Sequence, residues 1–351
     1  MRDGELLRGG RGNATMKEVA ERAGVSLMTV SRVINNTALV RPETRERVER
    51  AVADLNYRPN LGARRLAGGR SMFIGLLYHN PSPGYLSKIL RGAIDRCREL
   101  GHHLVLEDFG QSAPYADPEA AVAKLNLVDL DGLVVTPPLS VHPPFLRALE
   151  TSGLPIVRIA PADIHEEGMR IAMDDTRAME ELLDHVVGLG HRRIAFIEGP
   201  DRHAASTHRR DGFLRGMRKH GLTLRPEFRQ VGDFTYRSGL TTGRALLELD
   251  APPTAIVASN DDMAAGVVGA AHMMGLKVPE DVSVVGFDDI ELATTIWPEL
   301  TTVRQPITAM ASQAVELLTA FLRDDREAME RLRALQSHDI MVRDSVAAPK
   351  S

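Results

Sequence analysis

The stretch "AGVSLMTVSRVINN", Ala23–Asn36, sets Ser, Thr, Ser, Arg and two Asn between regularly spaced aliphatic residues. At about 100° per residue, Val30, Val33 and Ile34 share one helical face, where Val19, Ala20 and Ala23 of the preceding segment can pack. Met28, Arg32 and Asn35 fall on the opposite face. That outward face carries one charge, Arg32, where an ordinary solvated helix would alternate Glu and Lys. It offers hydroxyls, amides, one guanidinium and two apolar side chains near the helix N-terminus. Such a set suits a DNA major groove. Arg can bind guanine O6 and N7, Leu and Met can contact thymine methyls, and Ser, Thr and Asn can reach phosphates.

Working outward, "TMKEVAERAG" starts with Thr15 as N-cap, has Glu18 three residues later as the second half of a capping box, and stops at Gly24. Ser26 caps the next segment. "RPETRERVERAVADLNY" puts Pro42 in a first turn and Val48, Val52 and Leu55 on one stripe. Three short helices with a tight Gly-containing turn between the first two make a helix-turn-helix domain over residues 15–58. Residues 1–14, rich in Gly and Arg, are expected to be a disordered tail. Residues 59–70 read as a linker whose short "LGARRLAGGRS" helix is marginal alone and orders only on binding a partner.

Charge follows the same division. The 351-residue chain has a net charge of −4, which by itself argues against a nucleic-acid binder. Yet residues 1–70 hold 14 Lys/Arg against 8 Asp/Glu, and the remainder hold 29 against 39. A basic end on an acidic body is what results when only one part meets phosphate. One cysteine, Cys97, excludes an internal disulfide framework and suits a reducing compartment. The N-terminus has no apolar signal region, and no apolar run approaches a membrane span. A soluble, cytoplasmic protein without a membrane partner is expected.

From Met72 the rhythm changes. "FIGLLY", "HLVLE", "GLVVTPP", "PIVRIA", "RIAFIEG", "TAIVAS" and "VSVVGF" are strand-like apolar runs, and most are separated by helical stretches. Buried strands alternating with helices specify parallel sheets covered on both faces. Seven or more such strands suggest two doubly wound lobes over residues 71–345. The N-lobe would take about 71–160 plus 291–318, the C-lobe about 161–290 plus 319–345, and 346–351 would be an unstructured tail.

These residues carry a family resemblance. "MKEVAERAGVSLMTVSRVINN", "TRERVERAVADLNYRPN" and "ARRLAGGRS" resemble the headpiece and hinge of the lactose-repressor (LacI/GalR) family. The match continues through "LGHRRIAFIEGP", "ASNDDMAAG", "DVSVVGFDD" and "LTTVRQP". The implied fold is an all-α helix-turn-helix headpiece followed by an α/β core like a periplasmic binding protein. By position, the resemblance implies base reading by Leu27, Met28 and Arg32, and contacts to the DNA backbone or its neighbourhood by Thr15, Ser26, Thr29, Ser31 and Asn35. Leu66 matches the hinge leucine that relatives wedge into the minor groove, flanked by Ala63 and Arg64. An apolar wedge costs unstacking energy, offset by the surface that bent DNA contacts. Arg41 departs from the Ser, Thr or Asn N-cap of many relatives.

Open α/β sheets bind ligands at the C-terminal ends of their strands. Asp261–Asp262 and Asp288–Asp289 cluster there, and one Asp of each pair is expected to cap the following helix. No cluster has metal-ligand spacing, no nucleophile triad or cofactor motif is evident, and the twelve histidines read as surface. Resemblance to the family's effector pocket implies Arg209, Phe234, Asn260 and Asp288 from the C-lobe, with Tyr85 from the N-lobe. Such residues suit a polyol: Arg forks to vicinal hydroxyls, Asp accepts from them, and an aromatic ring stacks on a sugar face. Ala160 stands where many sugar-responsive relatives have Asp, leaving room for an oligosaccharide. The expected protein is a homodimeric repressor of carbohydrate genes, not an enzyme, on a near-palindromic operator of double-stranded DNA, released by a sugar. No apolar heptads follow residue 345, so a tetramerisation helix is not expected. A corepressor-dependent regulator and a solute-binding protein are the alternatives, the second disfavoured by residues 15–58.

Overall fold

The computed structural model describes residues 16–34, 40–55, 71–109, 113–125, 129–165, 167–332 and 334–350. The chain divides into two compact units, Met1–Ser71 and Met72–Ser351. Thr15, Asn35, Ala63, Arg64, Leu66, the 1–14 tail and the 59–70 linker lie outside the described residues.

In the first unit, α1 (Met16–Ala23), α2 (Leu27–Ile34) and α3 (Pro42–Asp54) enclose a small core. Val19, Ala20 and Ala23 meet Val30 and Val33 there, with Val48 and Ala51 closing it. Val52 and Leu55, placed on the α3 stripe by periodicity, are half-buried at the rim, and Ala51 takes the central position. Gly24 turns the chain at φ +64°, a left-handed conformation that glycine adopts without penalty. Ser26 Oγ accepts the Thr29 N–H at 3.2 Å, satisfying an orphan donor of α2. Arg41 makes no side-chain cap at α3, whose first turn instead has proline.

The second unit holds two sheets. In the N-lobe, β1 (Phe73–Tyr78), β2 (His103–Asp108), β3 (Gly132–Val135), β4 (Ile156–Ile159) and β5 (Arg170–Ile171) run parallel in the order β2-β1-β3-β4-β5. Helix α4 (Pro83–Leu100) covers one face. Beyond the short α5 (Ala113–Ala116), α6 (Pro118–Leu125) and α7 (Pro143–Thr151) cover the other, packing Val122, Leu125, Phe145 and Leu149 on Leu77, Leu133 and Val135.

The C-lobe contains α8 (Asp175–Gly188), β6 (Ile194–Glu198), α9 (Ala204–Lys219), β7 (Arg229–Val231), α10 (Tyr236–Leu247), β8 (Ala255–Ala258), α11 (Asp261–Met273), β9 (Ser283–Asp288), the short α12 (Leu292–Thr295) and β10 (Thr301–Arg304). After α13 (Ile307–Leu322) and α14 (Arg326–Arg331), β11 (Asp339–Met341) completes the sheet order β11-β10-β9-β8-β6-β7. Only β11 is antiparallel among the described pairings. Helices α8 and α9 bury one face of this sheet, α10 and α11 the other.

The lobe bounds differ from the sequence expectation. Residues 161–171 stay with the N-lobe, because β5 pairs with β4 through Arg158↔Arg170. The return crossing does not follow Asp289. Thr301–Arg304 pairs in parallel with β9, so the chain leaves the C-lobe only after β10. Helix α13 then packs Ile307, Met310, Ala314 and Leu318 into the N-lobe core, with Leu332 beside them. A third crossing lies near Gln336, which bridges Met173. The end of the chain, expected to be loose, is docked. Ser345 is buried and its Oγ accepts the Thr301 N–H at 2.9 Å, while the Ala347 N–H donates to Ser283 Oγ at 3.1 Å.

Candidate functional site

In α2, the sequence places apolar residues on alternate faces for different reasons. Val30 and Val33 are buried, whereas Leu27 and Met28 are 50% and 64% exposed. These two large apolar side chains of an eight-residue helix therefore take no part in the headpiece core. Arg32 is exposed beside them, and Thr29 and Ser31 are half-buried. Ser26 and Thr29 hold each other, Oγ to Oγ1 at 2.9 Å, so both hydroxyls stand at the helix N-terminus. Five of the expected DNA-facing residues, Leu27, Met28, Thr29, Ser31 and Arg32, are thus on α2, and Ser26 immediately precedes it.

The second site lies between the lobes, at the C-terminal ends of the strands. A narrow cavity of about 40 Å³ there is lined by all five residues expected at an effector site: Tyr85, Arg209, Phe234, Asn260 and Asp288. Its centre is the buried guanidinium of Arg209 on α9. Nε donates to Asp175 Oδ1 at 2.8 Å, Nη2 is 3.2 Å from Asp288 Oδ1, and Nη1 donates to the Ser259 carbonyl. The Arg209 Cζ sits 3.8 Å over the centre of the Phe287 ring, a cation–π contact in a desolvated place.

Two carboxylates share this one cation. Asp288, at the end of β9 with φ 111°, also accepts from Gln305 Nε2 at 2.5 Å. Burial pushes its carboxyl up to about 7, against the pull of Arg209, and the Asp175 charge adds to the rise. Tyr85 is pushed up by burial and by Asp288, so its hydroxyl stays protonated. His203 packs edge-to-face on Phe234, ring centres 5.0 Å apart. Burial and the charges of Arg202 and Arg209 lower it to about 3, so the imidazole is neutral.

Some expected roles shift. Asn260 faces the cavity, but its amide is committed: Oδ1 accepts the Met263 N–H at 3.0 Å, and Nδ2 donates to the Phe234 carbonyl at 3.1 Å. Asn260 therefore caps α11, in place of the aspartate expected to do so. Asp261 is fully buried and accepts Thr302 Oγ1–H at 2.6 Å and the Ile290 N–H at 2.8 Å. Burial holds its carboxyl well above the usual range. Asp289 binds Arg304 and Arg343 instead of capping a helix.

The histidines are not uniformly at the surface. His102, His191 and His203 are buried, and sequence reasoning missed His203 as a cavity residue. The only available signal was its place after "EGP" at a strand end, which does not specify burial. Ala160 also lines the cavity, at φ 47°. Across the cleft, Ser82 Oγ–H donates to Asp262 Oδ2 at 2.6 Å, and Lys88 reaches the Asp289 carbonyl. Among the described residues no group of His, Cys, Asp and Glu could hold a metal ion, and no helix is long and apolar enough to cross a membrane.

Two family models match the two units. Bacterial regulatory proteins of the lacI family match residues 15–60, and a periplasmic binding protein-like domain matches residues 183–346. The chain is 35% identical over 319 residues to the HTH-type transcriptional regulator AscG of Escherichia coli (strain K12), covering 88% of this chain and 92% of that protein. The chain belongs to the lacI family of bacterial regulatory proteins. Its lacI-family fold is shared with the crystal structure of the Lac repressor dimer bound to operator and the anti-inducer ONPF. That match has TM-score 0.80 and 28% identity, covering 96% of this chain and all of that one. A CelR–cellobiose complex matches with TM-score 0.70 and 29% identity, over 95% of this chain and 100% of that one. This lacI-family chain is a transcription regulator, with a helix-turn-helix unit for DNA and a two-lobe α/β core.

Proposed function

We propose that the protein is a homodimeric repressor of carbohydrate genes that acts in the cytoplasm on a near-palindromic operator and is released when a sugar occupies the interlobe cleft. The observation that carries the effector reading is the convergence of Asp175, Arg209, Asp288 and Gln305 beside Tyr85 and Phe234 in one cavity at the strand ends. Paired carboxylates, a guanidinium and an amide recognise hydroxyls, and the rings offer faces for sugar C–H bonds. Phe234 and Tyr85 supply those faces, Asp288 the polar anchor, and Arg209 the fixed frame, with Asn260 holding Phe234 in place. The sugar bound to CelR and the operator bound to the Lac repressor support the same reading.

On the DNA side, Leu27, Met28 and Arg32 read bases in the major groove, and Ser26, Thr29 and Ser31, with Thr15 and Asn35, hold the backbone. Leu66, flanked by Ala63 and Arg64, wedges into the minor groove. Two headpieces on two half-sites mirror the dimer's symmetry.

The test is operator titration by fluorescence anisotropy, using a duplex selected from random sequence by the full-length protein. A sugar that weakens binding supports induction. A sugar that strengthens it establishes corepression instead. Failure to select any duplex at modest salt overturns the regulator reading of this chain.

A further inference from the structure

A second space lies near the effector cavity, with a volume of about 320 Å³. Both lobes build it: Tyr115 and His142 from the N-lobe, and Arg202 and Thr207 from the start of α9 and the turn before it. The two spaces are lined by neighbouring residues of the same segments. Ala160, His203 and Ala205 face the inner one, while Ala162, Arg202 and Ala204 face the outer one. The charge of Arg202 acts on Tyr115 outside and on His203 inside, so it stands within electrostatic reach of both.

Three features suit this outer space to a ligand. Tyr115 and His142 form an edge-to-face ring pair, centres 4.6 Å apart, which offers an apolar plate. The Tyr115 hydroxyl and His142 Nδ1 are buried without a hydrogen-bond partner among the described residues. Buried polar atoms cost free energy until something satisfies them. Arg202 makes no ion pair among the described residues, whereas Asp201, which lines the same space, is paired with Arg210, Nη1 to Oδ1 at 3.4 Å. A guanidinium free to donate, unsatisfied polar atoms and a ring plate together suit a hydroxyl-bearing sugar ring.

We propose that Tyr115, His142, Arg202 and Thr207 form a second sugar subsite, so that the effector is a disaccharide or longer oligosaccharide reaching both spaces. This rests on the sugar reading of the inner cavity.

The test is calorimetry on the full-length protein with cellobiose, maltose and lactose beside glucose and galactose. One disaccharide is expected to bind about tenfold or more tightly than its own monosaccharides. Arg202→Ala and Tyr115→Phe, both mild at their positions, are each expected to cut that advantage by about fivefold, the worth of one net hydrogen bond, with monosaccharide binding unchanged. Equal affinity for mono- and disaccharide, or equal loss for both in the variants, overturns the subsite while leaving the sugar reading intact. Binding of none of the five sugars overturns both.

Discussion

Arg209 Nη2 lies 3.2 Å from Asp288 Oδ1, with each side chain only 5% exposed. Since Asp175 takes the same guanidinium through Nε, the frame of the cleft is a cation held between two carboxylates contributed by α8 and β9. Breaking a buried pair from one side leaves an uncompensated charge, at a cost of about 3–5 kcal/mol. Arg209→Ala is expected to lose stability on that scale in urea unfolding of the full chain. A change within the error of the measurement would mean that the two carboxylates simply hold protons.

Asp288 also fixes a pH dependence. Its folded carboxyl titrates at about 7, above the unfolded value of 3.8, so the folded chain holds a proton that the unfolded chain has released. The stability from Asp288 is full below the unfolded value and is lost as pH rises to about 7. Asp288→Asn, neutral at every pH, is expected to flatten the stability slope across that window. Parallel slopes for variant and parent in urea melts would contradict it.

His102 works in the opposite sense. Its Nδ1 accepts the Met72 N–H at 3.2 Å, and burial lowers it from 6.5 to about 4. Unfolding in acid releases an imidazole that takes up a proton, so stability falls as pH drops through that range. His102→Gln keeps an acceptor without a titrating group, and its acid limb between pH 6.5 and about 4 is expected to be shallower than the parent's.

Helices α10 and α11 touch through glycine. A Cβ at Gly239 would lie 2.1 Å from the Met263 carbonyl oxygen, a backbone atom that cannot swing aside. Gly239→Ala is expected to destabilise by at least about 1–3 kcal/mol, the cost of overpacking. Chemical denaturation checks it, and a neutral result would show that the two helices can separate.

On the DNA side, Arg32→Ala is expected to weaken binding to the selected duplex by about 1–3 kcal/mol while nonspecific binding changes little. Anisotropy titrations on selected and scrambled duplexes measure the two. Equal losses on both would make Arg32 a phosphate contact.

The headpiece was legible because periodicity decides it: Val30 and Val33 point inward and Met28 and Arg32 outward whatever else the chain does. The seven apolar runs were legible for a similar reason, since strands covered on both faces have no polar alternation to obscure them. The lobe crossings were not. "LTTVRQP" has two threonines where an apolar run would be, and only its ladder with β9 shows that it is the last parallel strand of the C-lobe. The buried Thr301 and Thr302 hydroxyls are satisfied by Arg343 O and Asp261, partners distant in sequence. At the cleft, the family resemblance pointed to Arg209 and Asp288 but could not show that the amide of Asn260 is claimed by a helix N-terminus. His203 was missed because a histidine's burial is decided by what packs on it, here Phe234.

The three passages between the lobes bear on the order in which the chain can assemble. The N-lobe core needs Ile307, Met310 and Leu318, and the C-lobe sheet needs Asp339–Met341 and the docked Ser345. A chain emerging from the ribosome can therefore finish neither lobe until its last segments are out. Loss of the segment from Ser345 onward would strip Thr301, Val284 and Ser283 of partners and strike the C-lobe, while the N-lobe core, which needs nothing beyond Leu332, would keep its side chains.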